Sequence, residues 1–171
     1  KLADHRLEYD REVMLLLSEF NPDVCVLAGY MLIVGGEMCK RYKMMNLHPA
    51  LPTGPIGTWQ EVIWDLIESG ADRTGAMIHL VTENVDRGPV IAYFDIPIVG
   101  GDFEARWKDF EGKSLTFSDT LHNEELPLFR LIRQEEYRRE PYLLAATLNA
   151  LNKGKLKISA GRILDAQGKP S

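Results

Sequence analysis

Residues 23–28, Asp-Val-Cys-Val-Leu-Ala, form a near-continuous apolar run without polar alternation. A strand buried on both faces reads this way, and such strands belong to parallel sheets covered by helices on either side. Gly29 follows at once, where a side chain would obstruct a turn or a close-approaching ligand. The next segments keep the rhythm of such a sheet. Residues 37–42 read as a short helix and residues 44–47 as the next strand. Thr58-Trp59-Gln60-Glu61 has the pattern of a capping box, opening a helix that carries Val62, Ile63, Leu66 and Ile67 to Gly70. Strand, loop, helix, strand is the βαβ pattern, so an α/β fold is expected, with a mostly parallel sheet flanked by helices. Ligands of such sheets sit beyond the carboxyl ends of the strands.

Outside this stretch the expectations are coarser. Asp10 is read as the cap of a helix running to Phe20, with Val13, Leu16, Leu17 and Phe20 as its buried stripe. Residues 76–99 read as two strands around a turn. Residues 100–122 are acidic and irregular, with Phe103, Trp107 and Phe110 spaced along them. They are read as a loop insertion at about 100–123, with a packed surface loop preferred over a lid or a dimer contact. Residues 124–139 and 142–152 read as helices, and residues 155–159 and 162–165 as closing strands turned at Gly161. With 171 residues and no internal repeat, one domain over 1–171 is expected.

The formal charge of −5 weighs against a polyanionic partner such as tRNA, so no nucleic acid is expected. There is no apolar run of bilayer length and no basic-then-apolar leader, so the expectation is a cytoplasmic chain without a membrane partner. Cys25 and Cys39 lack metal spacing and read as reduced thiols. The partners expected are small molecules, with a homodimer left open.

The chemistry concentrates in residues 44–57. Asn46 and His48, two apart in an extended segment, point to one side, and Pro49 and Pro52 stiffen the chain just beyond. A carboxamide donor beside an imidazole suits the polarisation of a carbonyl; ordinary turn chemistry is the competing reading. His79 lies in an alternating strand, where a core or supporting histidine is the first reading. Asp86 by itself reads as a turn residue. His48, His79 and Asp86 also have the composition of a two-histidine, one-carboxylate metal site, but no further ligand motif accompanies them and no metal is expected.

Three motifs in sequence narrow this further. Asn46-Leu47-His48-Pro49-Ala50-Leu51 is followed by His79-Leu80-Val81-Thr82 and then by Asp86-Arg87-Gly88-Pro89-Val90-Ile91. In this order and spacing they resemble the glycinamide ribonucleotide formyltransferase family, folate-dependent enzymes of purine synthesis. Pro22-Asp23-Val24 running into Val26-Leu27-Ala28-Gly29-Tyr30-Met31 is similar to the family's fourth strand and the turn after it.

The resemblance implies a Rossmann-like formyltransferase fold and transfer of a formyl group from the co-substrate 10-formyltetrahydrofolate to an amine, glycinamide ribonucleotide first. Asn46 and His48 would donate to the developing oxyanion. Asp86 would raise the pKa of His48 by pairing with it and take the amine proton, directly or through water. The family holds the folate pteridine with the backbone of two segments, which match Met31, Leu32, Ile33 and Val34, and Val81, Thr82, Glu83, Asn84 and Val85 up to Asp86. Leu32 stands where the family commonly has an Arg. Glu136, five residues before Pro141, matches a family Glu that approaches the amine substrate; a solvated face with Arg133, Glu135 and Arg138 explains it equally well. Gly29 and His79 would support the site. A formyl-folate hydrolase, a sugar-nucleotide formyltransferase and a catalytically silent folate-binding module are the alternatives.

The resemblance covers roughly residues 9–158, the later two thirds of the family's domain. The family's first strands, and the Gly-rich loop that holds the ribonucleotide phosphate at a helix N-terminus, are therefore expected in a preceding segment outside this chain. Without them the strand at 23–28 would present an unpaired edge, to be covered by that segment or by a partner chain, with the segment preferred.

Overall fold

The structure is a computed structural model that describes residues 4–111 and 124–170. In chain order the described elements are α1 (Asp4–Leu17), β1 (Cys25–Leu27), α2 (Gly36–Arg41), β2 (Met44–His48), α3 (Trp59–Glu68), β3 (Arg73–Leu80), β4 (Val90–Pro97), α4 (Gly101–Glu111), α5 (Pro127–Tyr137), α6 (Glu140–Asn152), β5 (Leu156–Ser159) and β6 (Arg162–Asp165). No described helix is long and apolar enough to cross a membrane.

Four strands form one sheet in the order β1-β2-β3-β4, and β5 and β6 form a separate pair. β1 and β2 are parallel, with Leu27 opposite Asn46. β3 and β4 are not. The Leu80 N–H donates to the Pro89 carbonyl at one end of the pair, and the Ile98 N–H donates to the Asp72 carbonyl at the other. The two strands therefore run antiparallel, as a connection of only residues 81–89 requires. The Val81 N–H donates to the Met44 carbonyl, so the end of β3 lies beside the start of β2. The α/β class stands, but among the described strands the sheet is mixed where a mostly parallel one was expected. β1 is also half-buried where burial on both faces was expected, and an apolar run does not report which way a strand points.

The chain divides into two compact units. The first comprises Lys1–Leu47, Ile78–Ala92 and Ala146–Ser171. Its core gathers Met14 of α1, Val34, Met38 of α2 and Met44 of β2, with Val81 against them. α1 begins at Asp4, so Asp10 is an interior residue and not a cap. It is buried, and it accepts from the Gly35 N–H at 2.6 Å. The expected stripe also needs correction: Val13 and Leu17 pack inward beside Met14, whereas Leu16 and Phe20 are 66% and 75% exposed. Met14-Leu15-Leu16-Leu17 is apolar all round, so its periodicity selects no face. Cys25 and Cys39 are free thiols, and burial raises the pKa of both. β5 and β6 form a hairpin whose two turn residues, Ala160 and Gly161, have φ of 48° and 71°, the left-handed pair of a type I′ turn.

The second unit comprises His48–Met77 and Tyr93–Ala145. The capping box of α3 is formed as read: the Glu61 N–H donates to Thr58 Oγ1, and the Thr58 N–H donates to Glu61 Oε2. The core joins Ile63 and Ile67 of α3 to Ile98, Phe103 of α4, and Phe129 and Ile132 of α5. Phe103, Trp107 and Phe110 belong to this core through α4, not to an irregular loop. The Trp107 indole N–H donates to the Ile98 carbonyl at 2.6 Å. Their i, i+4, i+7 spacing is a helical stripe, which the acidic composition around it obscured. The rest of the expected insertion, residues 112–123, lies outside the described residues.

Candidate active site

β2 carries Asn46, and the antiparallel return of β3 places His79 across from it. The Asn46 side-chain nitrogen lies 3.4 Å from His79 Nε2 and donates to Asp86 Oδ1, also at 3.4 Å. His79 Nε2 stands 3.5 Å from the same carboxylate oxygen. Three polar side chains from two strands and one loop thus close a triangle within the first unit.

The hydrogen-bond partners assign the protons. His79 Nδ1 is 2.9 Å from the Leu80 carbonyl oxygen, which can only accept. In the neutral ring Nδ1 therefore carries the hydrogen, and Nε2 accepts from the Asn46 amide. This orients the carboxamide, with both N–H groups on the inner side of the triangle. His79 is buried and the Asp86 side chain retains 13% exposure, so the carboxylate keeps a narrow opening to solvent.

The loop that carries Asp86 is held by close backbone contact. A Cβ at Gly88 would lie 1.8 Å from the Leu80 carbonyl oxygen, so only glycine permits this approach. That carbonyl is also the acceptor for His79 Nδ1. The sequence motif assigns Gly88 no role, because its contact with a carbonyl eight residues away is tertiary. Asp86 itself has φ of 51°, in the left-handed region that Asp tolerates better than most side chains.

The two segments expected to hold a pteridine are also brought together in this unit. Val34 and Val81 share one core cluster, while Met31, Leu32 and Ile33 are exposed. The Glu83 carboxyl lies against Gly36, where a Cβ would meet it at 2.6 Å, and pairs with Lys40 at 3.1 Å. Thr82 Oγ1 donates to the Asn84 carbonyl and accepts from the Asn84 N–H, which makes a tight turn ahead of Val85 and Asp86. Gly29 has φ of 77° with open space around it, so its role here is backbone conformation and not crowding.

His48 and Glu136 belong to the second unit. His48 ends β2 and is buried, and its Nε2 donates to the Pro55 carbonyl at 3.1 Å. Glu136 is fully buried on α5, not on a solvated face. Thr74 Oγ1 donates to its Oε1 at 2.6 Å, and Arg133 lies 3.8 Å from its Oε2. Burial pushes the Glu136 carboxyl up to about 8, against the lowering effects of the Thr74 bond and of Arg133. At neutral pH it is mainly a neutral acid.

Residues 1–116, which contain Asn46, His48, His79 and Asp86, match the family described as formyl transferase. The chain belongs to the formyl transferase family. It is 36% identical to the phosphoribosylglycinamide formyltransferase of Escherichia coli (strain K12) over 105 residues, which are 59% of this chain and 48% of that protein. It is 36% identical to the human trifunctional purine biosynthetic protein adenosine-3 over 104 residues, 60% of this chain and 10% of that protein. A glycinamide ribonucleotide transformylase 1 from Symbiobacterium toebii has the same fold, with a TM-score of 0.66 and 25% identity over 91% of this chain and 61% of that one. This formyl transferase chain thus spans about half the length of its Escherichia coli relative and a tenth of the human one. Glu136 and the β5–β6 hairpin lie beyond the residues matched to the family.

Proposed function

We propose that this chain carries the 10-formyltetrahydrofolate end of a formyl transfer site, and that the acceptor is an amine, glycinamide ribonucleotide in the first instance. The observation that carries the reading is the triangle of Asn46, His79 and Asp86. Formyl transfer needs donors where an oxyanion develops and a base for one proton, and it needs no protein nucleophile. Asn46 supplies the donor: one of its two N–H groups leaves its partner in the triangle for the formyl oxygen as the amine nitrogen attacks the formyl carbon. The other N–H keeps its bond within the triangle and holds the carboxamide in place. As the C–N bond forms, Asp86 takes the proton from the attacking nitrogen, directly or through one water. The tetrahedral intermediate then collapses, and the bond from carbon to the folate N10 breaks with a proton returned to N10. His48, two positions after Asn46 on the same strand, is the second donor in this reading.

Residues 31–33, which are exposed and whose backbone groups make no hydrogen bond among the described residues, and the turn at 82–85 support a pteridine site. The identity with phosphoribosylglycinamide formyltransferases supports the choice of acceptor. The test is tetrahydrofolate release from 10-formyltetrahydrofolate by the purified chain, with and without glycinamide ribonucleotide. Release that requires the ribonucleotide supports the reading. Release to water alone makes the chain a hydrolase, and folate binding without release makes it a binding module.

A further inference from the structure

The segment from Tyr30 to Gly35 is irregular, and among the described residues the backbone groups of Met31, Leu32 and Ile33 make no hydrogen bond. An exposed stretch of this kind is normally mobile, yet a ligand read by backbone groups needs them in place beforehand. Both ends of the stretch are tied to one pair on α1. Arg6 Nη2 donates to the Tyr30 hydroxyl at 3.2 Å, and the Gly35 N–H donates to Asp10 Oδ2 at 2.6 Å. Arg6 and Asp10 are joined to each other at 2.7 Å, one helical turn apart, and the Arg6 guanidinium lies over the Tyr9 ring at 4.9 Å.

This pair is poorly suited to be a stabilising device. The Asp10 side chain is 3% exposed and that of Arg6 is 12%. Arg6 Nε and Nη1 are buried with no hydrogen-bond partner among the described residues. A buried ion pair with unpaired donors returns little net stability. It does provide two fixed anchor points, four residues apart, on a rigid helix.

The geometry points to Arg6 and Asp10 as positioning residues that clamp the 30–35 segment and so set folate affinity; this rests on the reading of residues 31–34 as part of the folate site. Neither residue touches the Asn46–His79–Asp86 triangle by any contact described above. They should act on binding and not on the chemical step.

The test measures two things on the full 171-residue chain: backbone NMR order parameters across residues 31–34, and the Kd for 10-formyltetrahydrofolate. The variants are Asp10→Ala, Asp10→Asn and Tyr30→Phe. In the unsubstituted chain the order parameters should be about 0.85, and in Asp10→Ala they should fall below about 0.6. Kd should rise about tenfold, as expected for lost preorganisation, with kcat at saturating folate nearly unchanged. Asp10→Asn keeps an acceptor for Gly35 and should restore most of both. Tyr30→Phe removes one hydroxyl from one end and should show a smaller loosening; it decides the matter if Asp10→Ala does not fold. Unchanged order parameters in a folded variant overturn the clamp, and so does loosening without any change in Kd. If the unsubstituted chain binds no folate, the functional reading fails, and the order parameters alone then decide whether the clamp exists.

Discussion

Asp86 accepts from the Asn46 carboxamide at 3.4 Å while its own backbone sits at φ 51°. A charged site residue in a left-handed conformation costs backbone energy that the surrounding loop must supply. The loop supplies it through Gly88 and the Thr82–Asn84 turn, so the position of the carboxylate is built into the hairpin that joins β3 and β4.

Asp86→Asn is the sharpest probe of the proposed proton acceptor. Asn also tolerates the left-handed region, so the fold should survive. Turnover should fall by about 10²–10⁴, the usual contribution of a positioned base. Melting within a few degrees of wild type, with near-normal activity, would remove Asp86 from the chemistry.

Asn46→Ala deletes the proposed oxyanion donor and the contact with His79 Nε2. We expect kcat to fall by about 10²–10³, with folate Kd little changed. An increase in Kd with kcat intact would assign Asn46 to binding.

Gly88→Ala tests the close approach to the Leu80 carbonyl. The added Cβ, 1.8 Å from that oxygen, must push the strand end away and carry the His79 Nδ1 partner with it. A stability loss of about 1–3 kcal/mol by urea unfolding is expected, together with reduced turnover. Wild-type stability would mean that the hairpin yields more easily than this contact implies.

Glu136 predicts a pH dependence of stability. Its carboxyl is raised to about 8 in the fold from an ordinary value near 4.5. The folded chain therefore holds one more proton than the unfolded chain between those values. Its favourable contribution is complete below about 4.5, declines as pH rises, and is lost above about 8. Glu136→Gln should flatten that slope and gain most, relative to wild type, at pH 8 and above. Urea unfolding from pH 5 to 9 checks this, and parallel curves for the two proteins would refute it.

Thr58→Ala should cost about 1 kcal/mol by opening the capping box of α3. Turnover of the remaining folded chain should be unaffected. A loss of specific activity beyond the loss of folded protein would contradict a purely local role.

Part of the candidate site was legible in the chain. Asn46 and Asp86 stand in motifs whose spacing is local, and the structure brings their side chains together. His79 reads as a core or supporting histidine on strand pattern, and its buried ring lies 3.4 Å from the Asn46 amide. Where the reading failed, local signals served two outcomes. An Asp ahead of an apolar run caps a helix in most settings; here α1 extends back to Asp4, and Asp10 is spent on Gly35, 25 residues away. The acidic composition around Phe103, Trp107 and Phe110 suggested a loop, yet their spacing was that of α4. Glu136 had charged neighbours that suggested solvent, but its hydrogen-bond donor is Thr74, 62 residues earlier.

By itself the sequence determined what short-range physics decides: the capping box at Thr58 and Glu61, the Ala160-Gly161 turn and the existence of the strands. Each of these depends on a few neighbouring residues and their preferred dihedrals. Only the tertiary structure decided the direction of β3, the union of Asn46 with His79, the approach of Gly88 to Leu80 and the burial of Glu136. Those depend on which distant surfaces meet, and burial energy is indifferent to strand direction until hydrogen bonds such as Val81 to Met44 select it.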